Sequence, residues 1–158
     1  MTGGTRQLAQ AAWRSARGAC GESGRRVEVV LRRADEAGPA DVLAASAYLF
    51  ATPENLASMA GVMKDFFDRS YYAALDRVNG RPYGCIVCAG SDGRGAASQV
   101  ARIATGWRLR PVAEPLIVCV KAQTPQAILS PKWIAPADIA RASELGATLS
   151  AGLSMGLW

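Results

Sequence analysis

Apolar positions change their spacing several times along the chain. Over 5–19, Leu8, Ala12, Trp13, Ala16 and Ala19 recur three or four residues apart, which predicts a helix. Gly18, Gly21 and Gly24 break that pattern. The stretch VEVVLRR at 27–33 reads as a strand. ADEAGPADVLAAS, 34–46, predicts no more than a short helix or turn. The run at 47–51, AYLFA, is apolar throughout and of strand length, and Thr52-Pro53 should end it. Leu56, Met59, Met63, Phe66, Phe67 and Tyr71 then mark an amphipathic helix over about 58–75. After the turn Asn79-Gly80-Arg81-Pro82, residues 83–89 form another buried strand. A glycine-rich loop at 90–95 leads into a helix over 96–105 that Gly106 closes. A strand centred on Leu116-Ile117-Val118 lies within 110–120. The segment 123–135 is irregular, and Pro136 starts a last helix that runs to about Leu153.

Strands alternate with helices, and the strands are apolar on both faces. That predicts an α/β fold with a parallel sheet between two helical layers, in one domain spanning 1–158. Half the residues are hydrophobic and 20% are charged, enough for a sizeable core. The net charge is +5 with no His, and the basic residues, such as Arg14, Arg17, Arg25, Arg26, Arg32, Arg33, Arg108 and Arg110, are scattered. No tract resembles a nucleic-acid arm. The positive field suits a phosphorylated small molecule. No run approaches the roughly 18–20 apolar residues of a membrane helix, and no signal-peptide core stands at the N-terminus. A cytoplasmic protein that binds neither membrane nor nucleic acid is expected. The four cysteines are Cys20, Cys85, Cys88 and Cys119. Cys85 and Cys88 sit three apart on a predicted strand, so their thiols should face opposite sides as buried core groups. With no His and no second pair, a zinc site is not expected.

Ligands of open α/β sheets bind beyond the C-terminal ends of the strands, and three loops fall there. Thr2-Gly3-Gly4-Thr5-Arg6-Gln7 places glycines and hydroxyls ahead of a helix, which suits an anion at the helix N-terminus; a frayed terminus with a Thr cap is the other reading. Thr52-Pro53-Glu54-Asn55-Leu56-Ala57-Ser58-Met59 offers polar groups and an apolar Leu56, as the rim of a planar half-polar ligand would; a plain connection capped by Asn55 or Ser58 fits as well. Gly90-Ser91-Asp92-Gly93-Arg94-Gly95 holds three glycines in six residues, which close approach of backbone to a ligand would explain.

Taken together, these loops resemble those of the flavodoxin-like superfamily and, within it, of the FMN-dependent NAD(P)H oxidoreductases. Thr2-Gly3-Gly4-Thr5 is similar to the T-G-x-T phosphate loop. The stretch from Thr52 to Met59, followed by Lys64-Asp65-Phe66-Phe67-Asp68, is similar to the loop and helix beside the flavin ring. The resemblance implies a three-layer α/β/α sandwich with strand order 2-1-3-4-5. It implies that Thr2, Gly3, Gly4, Thr5 and Gln7 hold the FMN phosphate. Pro53, Glu54, Asn55, Leu56 and Ala57 would line one side of the isoalloxazine, and Gly90, Ser91, Asp92 and Gly93 the other. The cofactor would carry the chemistry, with no catalytic acid–base pair from the chain.

The implied activity takes hydride from NAD(P)H as co-substrate and passes electrons to a quinone or similar small acceptor. A flavodoxin-type one-electron carrier is the alternative, and the +5 charge leans towards the reductase because such carriers tend to be acidic. Asp92 or Arg94 would be the residues to meet the nicotinamide cofactor. Tyr71, Tyr72 and Trp107 would serve an interface of a homo-oligomer or the flavin ring, although core or surface packing is the expected role.

The resemblance also implies a central first strand ahead of Thr2, between the strands near Val29 and Tyr48, and only Met1 stands there. One expectation is a natural chain that begins about ten residues earlier, enough for a strand and a turn. The others are a short chain whose neighbouring strands close up or accept a donated strand, and a flavin-free interaction domain that keeps only the fold.

Overall fold

In the computed structural model, residues 2–19 and 27–158 are described. Gly21, Gly24, Cys20, Arg25 and Arg26 lie outside them. Six helices and five strands follow in the order α1 (Gly4–Ala19), α2 (Pro39–Ala44), β1 (Tyr48–Asn55), β2 (Ser58–Met59), α3 (Gly61–Ala74), β3 (Pro82–Ala89), α4 (Arg94–Gly106), β4 (Arg110–Pro111), β5 (Leu116–Cys119), α5 (Pro125–Leu129) and α6 (Pro136–Met155). Every residue of β3 is buried, as the run PYGCIVCA demands. β3 pairs in parallel with β1 on one side and with β4 and β5 on the other. Phe50 lies beside Cys85, Pro53 beside Cys88, and Cys88 beside Val118.

Period-2 alternation divides the core between the two faces of this sheet. Phe50, Cys85 and Val87 pack with Met63, Phe66 and Phe67 of α3, with Val100 and Ala104 of α4, and with Trp107. Ile86, Cys88, Leu116 and Val118 pack with Leu8 and Ala12 of α1 and with Ala142 and Leu145 of α6. The result is the expected three-layer α/β/α sandwich, and Cys85 and Cys88 are buried on opposite sides of it. Tyr71 stacks on buried Trp107, whereas Tyr72 is 84% exposed. No helix of the described residues is long and apolar enough to cross a membrane.

Several expectations need correction. The stretch 27–33 is neither helix nor strand and belongs to no ladder. Its Val29 carbonyl accepts the Trp13 indole N–H at 3.1 Å, and Val30 and Leu31 are exposed. A strand needs a neighbour to bond, and no described residue supplies the strand that would separate 27–33 from β1. Of the order 2-1-3-4-5, the described residues supply the 3-4-5 part. β1 does not end at Thr52-Pro53 but runs on to Asn55, because Glu54 and Asn55 pair antiparallel with Met59 and Ser58. Proline is tolerated in a strand with an open edge, and among the described residues β1 has a partner away from β3 only in this hairpin. The next helix therefore starts at Gly61, and neither Asn55 nor Ser58 caps it. The irregular 123–135 contains the short α5, capped by the Thr124 hydroxyl.

Candidate functional site

The N-terminus of α1 and the C-terminal ends of β1, β3 and β5 bring the three loops to one edge of the sheet. Gly3 opens the first loop with φ +85°, a left-handed turn that suits glycine. Gly4 is buried on the end of β3, where a Cβ would come within 2.7 Å of Cys88 Sγ. Burial pushes the Cys88 thiol up in pKa, against the lowering effect of a hydrogen bond with the Thr5 side chain and of the Lys132 charge. Gln7 has its amide occupied: Nε2 donates to the Lys132 carbonyl at 2.6 Å and to the Gly3 carbonyl at 3.3 Å, and Oε1 accepts the Ile134 N–H at 3.4 Å. The Lys132 N–H donates to the Thr2 carbonyl at 2.7 Å. Gln7 thus pins the 132–134 segment beneath the first loop.

The start of α1 and the start of α4 differ in one decisive respect. At α4, the Glu54 carboxylate accepts the N–H of Gly93 at 2.7 Å and of Ala96 at 3.3 Å, so the helix end is filled by the chain's own anion. At α1, the N–H groups of Gly4, Thr5 and Arg6 meet no acceptor among the described residues. That end is free to take an external anion, and Thr2 and Thr5, both half-buried, stand beside it.

Glu54 also joins the second loop to the third. Its carboxylate is turned onto the α4 amides, not left free to line a ring. Gln99 of α4 completes the clamp, accepting the Met59 N–H at 2.9 Å and donating to the Ser58 hydroxyl at 3.2 Å. The hairpin tip, Leu56 and Ala57, has positive φ values of 51° and 59°, and Leu56 is fully exposed. Asn55 and Ala57 are exposed beside it, and Pro53 is half-buried within β1. The Glu54 and Gln99 bonds join the two loops into a single shelf.

The glycines of the third loop answer to the chain itself. A Cβ on Gly93 would come within 2.5 Å of Ile117 Cγ2, one on Gly90 within 3.0 Å of the Ala122 carbonyl oxygen, and one on Gly95 would strike the Ala57 carbonyl. Packing against the chain itself thus calls for glycine at 93 and 95 and makes a tight fit at 90. Ser91 and Asp92 are exposed on the outer side of the loop, and Asp92 is paired with Arg94 at 2.7 Å. Glu54 and Gln7 were legible as loop residues but not in these roles. Gln99, Lys132 and the Cys88 floor gave no sequence signal, because each depends on contacts between distant segments.

The thiols give a simple check on this geometry. Burial pushes Cys85 up to about 12, and Cys119 is exposed with its thiol donating to the Asp92 carbonyl at 3.4 Å. In a Cys20→Ser chain at pH 8, one thiol should react rapidly with Ellman's reagent, and Cys119→Ser should remove that phase. A fast phase that survives Cys119→Ser would mean that the sheet edge opens to expose Cys88.

A set of free helix amides beside two glycines and two threonines, next to a rigid polar shelf, suits a phosphorylated flat cofactor. Residues 5–123 match the family described as NADPH-dependent FMN reductase. Among curated proteins none matches. A flavodoxin from the domain Archaea superposes with a TM-score of 0.75 at 15% identity, over 98% of this chain and 93% of that one. The WrbA-like flavodoxin of Agrobacterium tumefaciens gives 0.64 at 18%, over 99% and 92%. The flavodiiron protein of Giardia intestinalis gives 0.75 at 17%; 99% of this chain matches, but it spans only 34% of that protein. These likenesses establish the flavodoxin-like fold. With 5–123 matched, the chain belongs to the family of NADPH-dependent FMN reductases.

Proposed function

We propose that this chain binds FMN at the first loop and the joined shelf, and uses it to pass hydride from NAD(P)H to a quinone or similar small acceptor. The FMN-dependent oxidoreductase class follows from family membership. The observation that carries the placement of the cofactor is the contrast between the free amides of α1 and the filled amides of α4.

FMN, when bound, supplies the redox chemistry. The chain supplies the holding. The amides of Gly4, Thr5 and Arg6 and the hydroxyls of Thr2 and Thr5 would take the phosphate, with the positive end of the α1 dipole behind them. Gln7 acts one step back, fixing the loop against Lys132 and Ile134. Pro53, Asn55, Leu56 and Ala57 would border the ring on one side, and Gly90 to Gly93 on the other, while Glu54 sets the distance between the two loops. The clamp would hold the backbone donors of the shelf in place beside the ring.

The first test is a visible spectrum of the chain after saturation with FMN and desalting, followed by NADPH oxidation with a quinone. A retained flavin band and turnover support the reading; a colourless folded protein overturns it. Thr5→Glu puts a like charge where the phosphate would sit and should weaken FMN binding roughly ten- to hundredfold, the loss expected for a charge-assisted bond. Native flavin affinity in that variant would remove the phosphate from the first loop.

A further inference from the structure

We propose that the hollow beyond the end of β5 receives the adenosine phosphate end of the nicotinamide donor, with the Trp133 indole stacking on the purine and the Lys121 ammonium meeting the phosphate. This rests on the reading of the chain as NAD(P)H-dependent. The hollow measures about 170 Å³, and its lining includes Val118, Val120, Lys121, Trp133, Ile134 and Asp138. A whole small-molecule site is roughly 300–1,000 Å³, so this one takes a single ring system and not a dinucleotide.

Its two distinctive side chains are left uncommitted by the rest of the fold. Trp133 is 75% exposed, an indole face that folding leaves in water although aromatic surface is favourably buried. Lys121 is exposed and has no carboxylate partner among the described residues. Asp138, the acid in the same lining, is paired with Arg141 at 3.1 Å. Lys132 is the other nearby cation, and its ammonium is spent on the carbonyls of Ala127, Ile128 and Ser130. Lys121 is also held at φ +52°, a conformation that costs a non-glycine residue free energy. It is fixed there because the N–H groups on either side, of Val120 and Ala122, bond to Ala89 and Gly90.

The location fits a donor that must reach the flavin. One wall, from Lys132 to Ile134, is pinned to the first loop by Gln7. The opposite wall touches the third loop through Cys119 and the Asp92 carbonyl. The hollow therefore lies between the supports of the two loops that would border FMN. An indole and an unpaired cation lining one hollow suit a phosphorylated purine. A neutral quinone would use the indole and not the ammonium, so dependence on Lys121 separates the two.

The test is a calorimetric titration of the FMN-supplemented full chain with adenosine 2′,5′-bisphosphate, repeated in Lys121→Gln and Trp133→Ala. Each substitution should weaken binding at least about tenfold. Each should raise the KM for NADPH while the FMN titration stays where it was. No binding, or binding that survives both substitutions, overturns the proposal. The bisphosphate carries no hydride, so binding that depends on Lys121 and Trp133 upholds the hollow even where NADPH oxidation fails. NADPH oxidation with an unchanged KM in both variants overturns the hollow and leaves the reductase reading intact.

Discussion

Trp107→Ala is expected to lower the unfolding free energy by about 3–5 kcal/mol, the range for truncating a buried aromatic. Trp107 has no exposed surface and is the largest fully buried side chain of the described residues. Its ring meets Phe67 edge-on at 5.5 Å and stacks on Tyr71 at 6.1 Å, and its Nε1 donates to the Tyr71 carbonyl at 3.1 Å. That carbonyl keeps the N–H of Leu75 at 3.0 Å after truncation, so no backbone acceptor is orphaned. The loss is cavity and ring contact. It would remove a large part of a typical margin of about 5–15 kcal/mol. Urea denaturation followed by circular dichroism reads the shift, and Trp107→Phe, which keeps a ring in the site, should lose clearly less. Equal midpoints for wild type and Trp107→Ala would mean that α3 and α4 close over the space, and that this layer is not tightly packed.

The layer is where sequence periodicity was most informative. Met63, Phe66 and Phe67 announce a buried helical face by their spacing, and the structure puts them in one cluster with Phe50 and Trp107. Buried strands such as 83–89 were equally clear, since nothing else accounts for a continuous apolar run of that length. Propensity failed at 27–33 because a strand is a relation between two segments. VEVVLRR has the composition for it, and with no partner strand among the described residues it lies outside the sheet.

At the site, the types of residue were legible and their partners were not. Gly90, Gly93 and Gly95 look like a ligand cradle in the sequence, and the structure adds a packing reason that no local pattern shows: the Ile117 side chain crowds Gly93, the Ala57 carbonyl crowds Gly95, and the Ala122 carbonyl lies tightly against Gly90. Glu54 reads as a ring-lining residue, but 39 positions separate it from Gly93, whose amide it bonds. Gln7 bonds the Lys132 carbonyl across 125 positions. Leu56 and Ala57 carry no turn signal at all, although they adopt the left-handed pair of conformations that a tight hairpin usually assigns to Asn and Gly. Contacts of this kind are set by how the layers stack, and no local pattern encodes them.

Gly146→Val should destabilise the chain by up to about 3 kcal/mol, the upper range for overpacking, and should also weaken FMN binding. α6 crosses α1 at this glycine, where an added Cβ would strike the Ala12 carbonyl oxygen and lie 2.8 Å from the Ala12 Cα. The obstacle is backbone, so no rotamer change relieves it, and α1 must move away from α6. Moving α1 lifts Gly4 from Cys88 and draws Gln7 away from Lys132 and Ile134, which loosens the loop that would hold the phosphate. Gly18→Ala is the control: it lies in α1, where an added Cβ meets no other atom of the described residues within 4 Å beyond its own stretch of helix, and it should leave stability unchanged or raise it slightly through helix propensity. Thermal melts with and without FMN separate the two effects. In Gly146→Val both the melting temperature and the FMN-induced rise in it should fall. A lower melting temperature with the full FMN-induced rise would mean that the first loop keeps its shape without the α1–α6 contact, and would place the control of that loop in the Gln7 bonds alone.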